Sequence, residues 1–215
     1  MTRLGLVDYG MGNLHSVRRA FERLGAEVVA VQGAAAMEGC AALVLPGVGA
    51  FDPAMERLAA ASLVEPLRRS CAAGRPLLGI CLGLQLLFER SDEGRGEGLG
   101  LLSGQVAALP RWPGHPIPHM GWAPLVPAHP SPLLPVEAPE AWVYFVHSYA
   151  AVPKDPDCVT ARVAWGEGTL TAAVWQGGIA ACQFHPEKSS GAGTAMLRRW
   201  LTWVEGGGGA MGQAG

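Results

Sequence analysis

The sequence predicts an α/β fold: an open, mostly parallel mixed sheet with helices on both faces, and added antiparallel strands in the second half. Three observations predict it. In the first half the short apolar runs are continuous rather than alternating, the mark of strands covered on both faces. Those runs alternate with amphipathic helical patterns, which implies right-handed crossovers between parallel strands. In the second half apolar runs are joined by connections as short as Gly166-Glu167-Gly168 and Gln176-Gly177-Gly178, which suit antiparallel hairpins.

Residues 3–8 are the first strand. Leu14, Val17, Phe21 and Leu24 then fall on one helical face, with Arg18, Arg19, Glu22 and Arg23 on the other, and Gly25 ends that helix. Residues 26–31 form a second strand and Leu43-Val44-Leu45 a third, followed by the turn Pro46-Gly47-Val48-Gly49. Helical sequence runs from about 52 to 73, and Ser62 with Glu65 reads as a capping box that restarts the helix. A strand at 76–80 leads into a helix expected over 82–90, and 91–98 is a polar, glycine-rich loop. Ten of the seventeen prolines fall between 110 and 139, so that stretch is expected to be loop and edge strand. Strands are expected at 142–146, 158–165, 169–175 and 179–184, and a last helix near 191–205 carries Leu197, Trp200, Leu201 and Val204 on one face. One domain is expected over 1–205, with 206–215 a disordered glycine-rich tail.

Composition narrows the function. The chain has 215 residues, 49% hydrophobic and 16% charged, with a formal net charge of −2. That is ample for a folded core and gives no electrostatic reason to expect nucleic acid or an acidic membrane. No apolar run is long enough to span a bilayer, and Asp8 interrupts the N-terminal run too early for a signal peptide. The five cysteines include no Cys-x-x-Cys pair, so no metal site is expected. A reduced cytoplasm is the expected setting, with Cys40, Cys71, Cys158 and Cys182 as small core residues.

Cys81 is the exception. In Gly79-Ile80-Cys81-Leu82-Gly83 an apolar run ends at the sulfur and a helical pattern starts after it, the layout of a nucleophile elbow. A helix N-terminus there favours thiolate. Such a nucleophile needs a base, an orienter and an oxyanion hole. Among six histidines, His185 closes a strand and precedes Pro186, and in extended backbone His185 and Glu187 project to the same side. The carboxylate can then set the tautomer of the imidazole. For the oxyanion, the Leu82 N–H follows the nucleophile, and the Pro46–Gly49 turn at a neighbouring strand end is a second donor.

Taken together, Gly79-Ile80-Cys81-Leu82-Gly83-Leu84-Gln85 and Phe184-His185-Pro186-Glu187-Lys188-Ser189 resemble the class I (triad) glutamine amidotransferases, whose sheet is flavodoxin-like. Three more segments, Asp8–Leu14, His119-Met120-Gly121-Trp122 and Tyr144–Tyr149, resemble the glutaminase subunits of imidazole glycerol phosphate synthase, over residues 3 to about 204. The resemblance implies glutamine hydrolysis through a glutamyl thioester on Cys81, with His185 as acid and base and Glu187 orienting it. The Val48–Gly49 backbone and Leu82 N–H would hold the oxyanion. Gly47, Gly49, Gln85, Glu93, His147, Ser148 and Tyr149 would bind glutamine. No cofactor and no metal are implied. The implied partner is a (β/α)₈-barrel cyclase subunit, in a heterodimer that makes imidazole glycerol phosphate and AICAR in histidine biosynthesis. Gly10, Met11, Gly12, Asn13, His119, Trp122 and Lys188 match partner-facing segments. Ala123 stands where asparagine would be expected.

Other readings stay open on the sequence. The same triad serves glutaminase subunits for other acceptors, of the anthranilate or aminodeoxychorismate type. A glutamine-sensing module with a spent site is a second alternative, and a free-standing cysteine peptidase or γ-glutamyl hydrolase a third.

Overall fold

The structure is a computed structural model that describes residues 1–134 and 140–208. In chain order its elements begin β1 (Arg3–Val7), α1 (Leu14–Glu22), β2 (Glu27–Val31), β3 (Ala42–Gly47), α2 (Phe51–Ala60) and α3 (Val64–Ala72). They continue with β4 (Leu77–Cys81), α4 (Leu82–Gln85), β5 (Arg90–Ser91), β6 (Gly104–Ala108), β7 (His119–Pro127), β8 (Trp142–His147) and β9 (Tyr149–Pro153). The last are β10 (Val159–Trp165), β11 (Gly168–Gln176), β12 (Ile179–Cys182) and α5 (Ser190–Glu205). Among the described residues no helix is long and apolar enough to cross a membrane.

Nine strands share one sheet in the order β2-β1-β3-β4-β12-β11-β10-β7-β8. The first five run parallel, and the last four join antiparallel. This is the mixed α/β sheet that the continuous apolar runs and glycine connections predict. Core residues lie on both faces. α1 and α5 cover one, with Phe21 against Trp200 at 5.7 Å between ring centroids. α2, α3 and α4 cover the other, burying Phe51, Leu58, Leu67 and Leu84. Parallel register sets Gly47 beside Cys81 and Cys182 beside Ile80. The carboxyl ends of β3, β4 and β12 therefore share one edge, where open α/β sheets bind ligands.

Several local expectations change. The helix expected over 82–90 is the single turn α4. The carbonyls of Leu86, Leu87, Phe88 and Glu89, which a longer helix would use, instead accept N–H groups from residues 98–102. The capping box does not form: Ser62 adopts φ 54°, and Glu65 pairs with Arg68 at 2.7 Å. Residues 119–127 form an interior strand rather than an edge. β7 pairs with β8 over His119–Pro124 and with β10 over Leu125–Pro127. Pro124 and Pro127 thus sit where a ladder ends, and the missing N–H groups cost little. Strand β12 stops at Cys182 rather than 184. The small sheet β5-β6-β9 has no counterpart in the sequence reading. Gly206–Gly208 close the end of α5, the Gly208 N–H donating to Trp203 at 3.0 Å. The rest of the expected tail, 209–215, lies outside the described residues, as do Pro135 and Pro139 of the proline-rich stretch.

The elbow carries strain that can be read in stability. Cys81 has φ 56° and ψ −112°, outside the favoured regions for a residue with a Cβ. Replacing Cys81 by glycine should give a chain about 1–3 kcal/mol more stable than replacing it by alanine. Denaturant unfolding of the two variants checks this; equal stability would mean that the turn is unstrained.

Candidate active site

The elbow is built by close packing. A Cβ on Gly83 would collide with the Leu45 carbonyl oxygen, and one on Gly79 would come within 3.0 Å of Ala181 Cβ and of the Gly83 carbonyl oxygen. A Cβ on Gly47 would come within 2.7 Å of the Tyr9 hydroxyl and 2.9 Å of Leu82 Cβ. Only glycine lets these three backbones approach, and their approach drives the chain through its sharp turn at Cys81. The Tyr9 hydroxyl donates to the Pro46 carbonyl at 2.9 Å, and burial, then the nearby Cys81 charge, push its pKa up. With α4 only one turn long, the helix dipole expected behind the sulfur is weak.

His185 and Glu187 meet, but not through the extended backbone expected: Pro186–Lys188 form a 3₁₀ turn that starts after His185, and this turn brings Glu187 Oε1 to 2.8 Å from His185 Nδ1, with both side chains almost wholly buried. His185 is fixed from behind. Its N–H donates to the Tyr144 carbonyl at 3.0 Å, and its carbonyl accepts from Ser189 Oγ at 2.7 Å. Ser189 Oγ also accepts the Tyr144 N–H at 3.0 Å, tying the histidine to β8. His185 Nε2 is buried without a regular hydrogen-bond partner among the described residues, which leaves it free to exchange a proton. Burial alone would lower the imidazole pKa, but the attraction of Cys81 and Glu187 outweighs it and raises the value to about 9.

The other cysteines are poor rivals. All four free thiols besides Cys81 have their pKa pushed up, first by burial: Cys71 and Cys158 to about 11, and Cys40 and Cys182 in the same direction. Their thiolate fraction near neutral pH is therefore small.

Cys81 and His185 open on a pocket of about 320 Å³. Val48, Gly49, Leu82, Gln85, Glu93, His147, Ser148 and Tyr149 line it, as do Pro118 and Val146. Gly47 lies behind the wall and Glu187 behind His185. The pocket reaches across to His147–Tyr149 because the chain leaves the large sheet at Ser148 and enters the small one. Gly49 has φ 101°, and a Cβ there would come within 2.8 Å of Met11 Cε, so Met11 packs on this turn. Glu93 Oε2 accepts the Phe51 N–H at 2.9 Å, and Asp52 accepts from Arg95 and Gly96 at 2.8 and 3.1 Å. That exchange clamps the 93–96 loop over the start of α2.

His147 is buried and neutral. Burial, opposed by its bond to Tyr149 and helped by His119 and His185, lowers its pKa to about 4. Its Nδ1 lies 2.9 Å from the Tyr149 carbonyl, which can only accept, so Nδ1 carries the proton. Nε2 is then bare and accepts from His119 Nδ1 at 3.0 Å. His119 is half-buried, stacked on Phe145 at 4.8 Å, and burial followed by His115 lowers its pKa. Of the other expected partner-facing residues, Gly10, Trp122 and Lys188 are exposed, and Met11, Gly12 and Asn13 are half-buried.

Two residues at the site escaped the sequence reading. Gln183, fully buried, donates from Nε2 to Cys81 Sγ at 3.7 Å, and Ser189 fixes His185. Gln183 left a signal, being a polar residue two before His185 in an otherwise apolar strand.

Over residues 5–203 the chain matches the family described as glutamine amidotransferase class-I. It is 58% identical over 202 residues to imidazole glycerol phosphate synthase subunit HisH 2 of Parasynechococcus marenigrum (strain WH8102), covering 94% of this chain and 95% of the relative. It is 59% identical over 201 residues to the HisH subunit of Synechococcus sp. (strain CC9902), with 94% of each covered. Among solved structures, a glutamine amidotransferase superposes with a TM-score of 0.73 at 22% identity, over 94% of this chain and 98% of that one. PurLQS from Thermotoga maritima also gives 0.73, at 18% identity, over 94% of this chain and 99% of that one.

The His185 pair can be tested by titration. Its folded pKa is raised, so its contribution to stability is complete below about 6.5 and is lost as pH rises through about 9. NMR of the imidazole should show a protonated ring at neutral pH with a midpoint near 9, falling in Glu187→Gln. A wild-type midpoint at or below 6.5 would contradict the pairing.

Proposed function

We infer that this chain, which belongs to the class I glutamine amidotransferases and within them to the HisH subunits of imidazole glycerol phosphate synthase, hydrolyses glutamine at Cys81 and supplies the ammonia to a separate synthase subunit. The observation that best supports the chemistry is the sulfur at the strained turn beside a buried His185–Glu187 pair 2.8 Å apart. With the imidazole pKa raised to about 9, His185 is protonated near neutral pH and holds the proton that the leaving nitrogen needs.

The steps follow from the groups. The Cys81 sulfur attacks the side-chain amide carbon of glutamine. Negative charge gathers on the amide oxygen, which the Leu82 N–H and the Val48–Gly49 backbone receive. His185 gives its proton to the leaving nitrogen, and ammonia departs. The same imidazole, now neutral, takes a proton from water, which attacks the glutamyl thioester. Glutamate leaves and the thiolate returns. Glu187 keeps His185 in the tautomer with Nδ1 protonated, so Nε2 does the transfer at both steps. Glutamine is held by Gly49, Gln85, Glu93, His147, Ser148 and Tyr149, with Gly47 behind the oxyanion turn.

The partner is the cyclase subunit of the synthase, a (β/α)₈ barrel, joined in a heterodimer. Ammonia is protonated in water and useful to an acceptor only if delivered directly. Trp122 and Met120 on β7 and Trp142 on β8 are 48%, 61% and 50% exposed, and Val48 at the mouth of the pocket is 42% exposed. An apolar surface of this kind beside a site suits coverage by another protein. Gly10–Asn13, His119, Trp122 and Lys188 are assigned to that contact. The five unpaired cysteines suit a cytoplasmic setting.

Cys81→Ser should lower glutamine hydrolysis at least about a thousandfold while leaving complex formation intact. Near-normal turnover in that variant, measured by glutamate release, would remove the mechanism. The isolated chain should be nearly inactive, and the partner with its nucleotide bound should switch it on; full activity alone would point to a free-standing hydrolase. Trp122→Ala should weaken partner binding by roughly ten- to a hundredfold in calorimetry. An unchanged affinity would move the interface elsewhere.

A further inference from the structure

Strand β12 ends at Cys182, the chain bends at Gln183 and Phe184, and both Gln183 and His185 come to the Cys81 sulfur. His185 turns to Glu187. Gln183 approaches the nucleophile, with Nε2 3.7 Å from Cys81 Sγ. A glutamine with no exposed surface is uncommon and costly unless its amide is satisfied. Here both ends are used: Oε1 accepts from Gln85 Nε2 at 3.1 Å, and Nε2 donates to the sulfur. The backbone is held as well, the Gln183 N–H donating to the Ala172 carbonyl at 2.8 Å.

The direction of the amide follows by elimination. The Tyr149 carbonyl can only accept, so the Gln85 atom 3.0 Å away is its nitrogen. That nitrogen also faces Gln183, so the Gln183 atom opposite it is the oxygen. The Gln183 nitrogen is left facing Cys81. Reversing either amide would set donor against donor or acceptor against acceptor. The Tyr149 carbonyl is itself anchored, accepting from His147 Nδ1 at 2.9 Å. Gln85 therefore has its nitrogen committed and only Oε1 to offer the pocket.

His185 is a second polar neighbour of the sulfur, and a third acts in the opposite sense. Cys81 Sγ lies 4.0 Å from the Val146 carbonyl, a group that accepts from a thiol and repels a thiolate. An N–H donor reverses that preference.

We propose that Gln183 is a catalytic residue: its amide N–H donates to the Cys81 sulfur, favours the thiolate, and holds the sulfur in line with the pocket through thioester formation and release. This rests on the reading of Cys81 as the nucleophile. Gln183 is part of a rigid polar core that runs from the sulfur through Gln85 and the Tyr149 carbonyl to His147.

Two variants test it, each as the full chain and in complex with the partner subunit. Gln183→Glu keeps an oxygen for Gln85 and sets an acceptor against the sulfur. Gln183→Met keeps the volume and removes both bonds. The readouts are the ultraviolet thiolate band, the rate at which iodoacetamide alkylates Cys81 near neutral pH (followed on the Cys81 peptide by mass spectrometry), and kcat and KM for glutamine. In folded variants the thiolate band should fade, and alkylation and kcat should drop roughly ten- to a hundredfold, the scale of a hydrogen bond to a charged group. KM should stay within about threefold, since Gln183 does not line the pocket. A variant that folds but keeps the wild-type thiolate band and alkylation rate would reduce Gln183 to a structural role and overturn the proposal. If wild-type Cys81 itself is alkylated no faster than the buried cysteines, the nucleophile reading fails, and the role of Gln183 with it.

Discussion

Cys81 holds its left-handed backbone because three glycines let neighbouring strands and the first helical turn crowd against it. Gly83 packs on the Leu45 carbonyl, Gly79 on Ala181, and Gly47 on Tyr9 and Leu82. A Cβ at any of the three would push those backbones apart, and the chain could then relax out of the turn. The turn sets Cys81 at the edge where β3, β4 and β12 end together. The parallel register that brings Gly47 beside Cys81 thus places the Pro46–Gly49 turn on one flank, and the end of β12 brings Gln183 and His185 to the other. Local strain is tolerated here because the surrounding core over-determines the geometry.

Electrostatics around the sulfur follow from burial. A dry site strengthens both attraction and the penalty for an unpaired charge. His185 and Glu187 lie almost wholly within the core, so their charges are stable only as a pair. His147, close by, is driven the other way and stays neutral with its tautomer fixed by the Tyr149 carbonyl. Two buried imidazoles in one pocket therefore take opposite protonation states. One has a carboxylate beside it; the other has a backbone carbonyl and a second histidine.

Elements set by continuous apolar runs and strong local signals were legible in the sequence. They include the first four strands, the faces of α1 and α5, the elbow at Cys81 and the His185–Glu187 pairing. What was not legible depends on contacts distant in the chain. α4 stops after one turn because residues 98–102 take its next carbonyls, a long-range choice that no 82–90 pattern reveals. β6 hides because only Val106 among its five residues is buried, and β9 because the apolar run from Trp142 crosses Ser148 without a visible break while changing sheets. The Ser62–Glu65 box fails because Arg68 captures the glutamate. Ser189 and Gln183 are ordinary polar residues until the fold buries them beside His185 and Cys81.

On this mechanism the strained, glycine-packed turn makes the Cys81 sulfur the atom that carries the glutamyl group. Rapid acid quench of the activated complex during turnover of isotopically labelled glutamine, followed by peptide mass spectrometry, tests it most directly. A labelled glutamyl thioester is expected on the peptide that contains Cys81, and on no other cysteine peptide. Label on Cys40, Cys71, Cys158 or Cys182, or steady turnover with no covalent label at all, would contradict it.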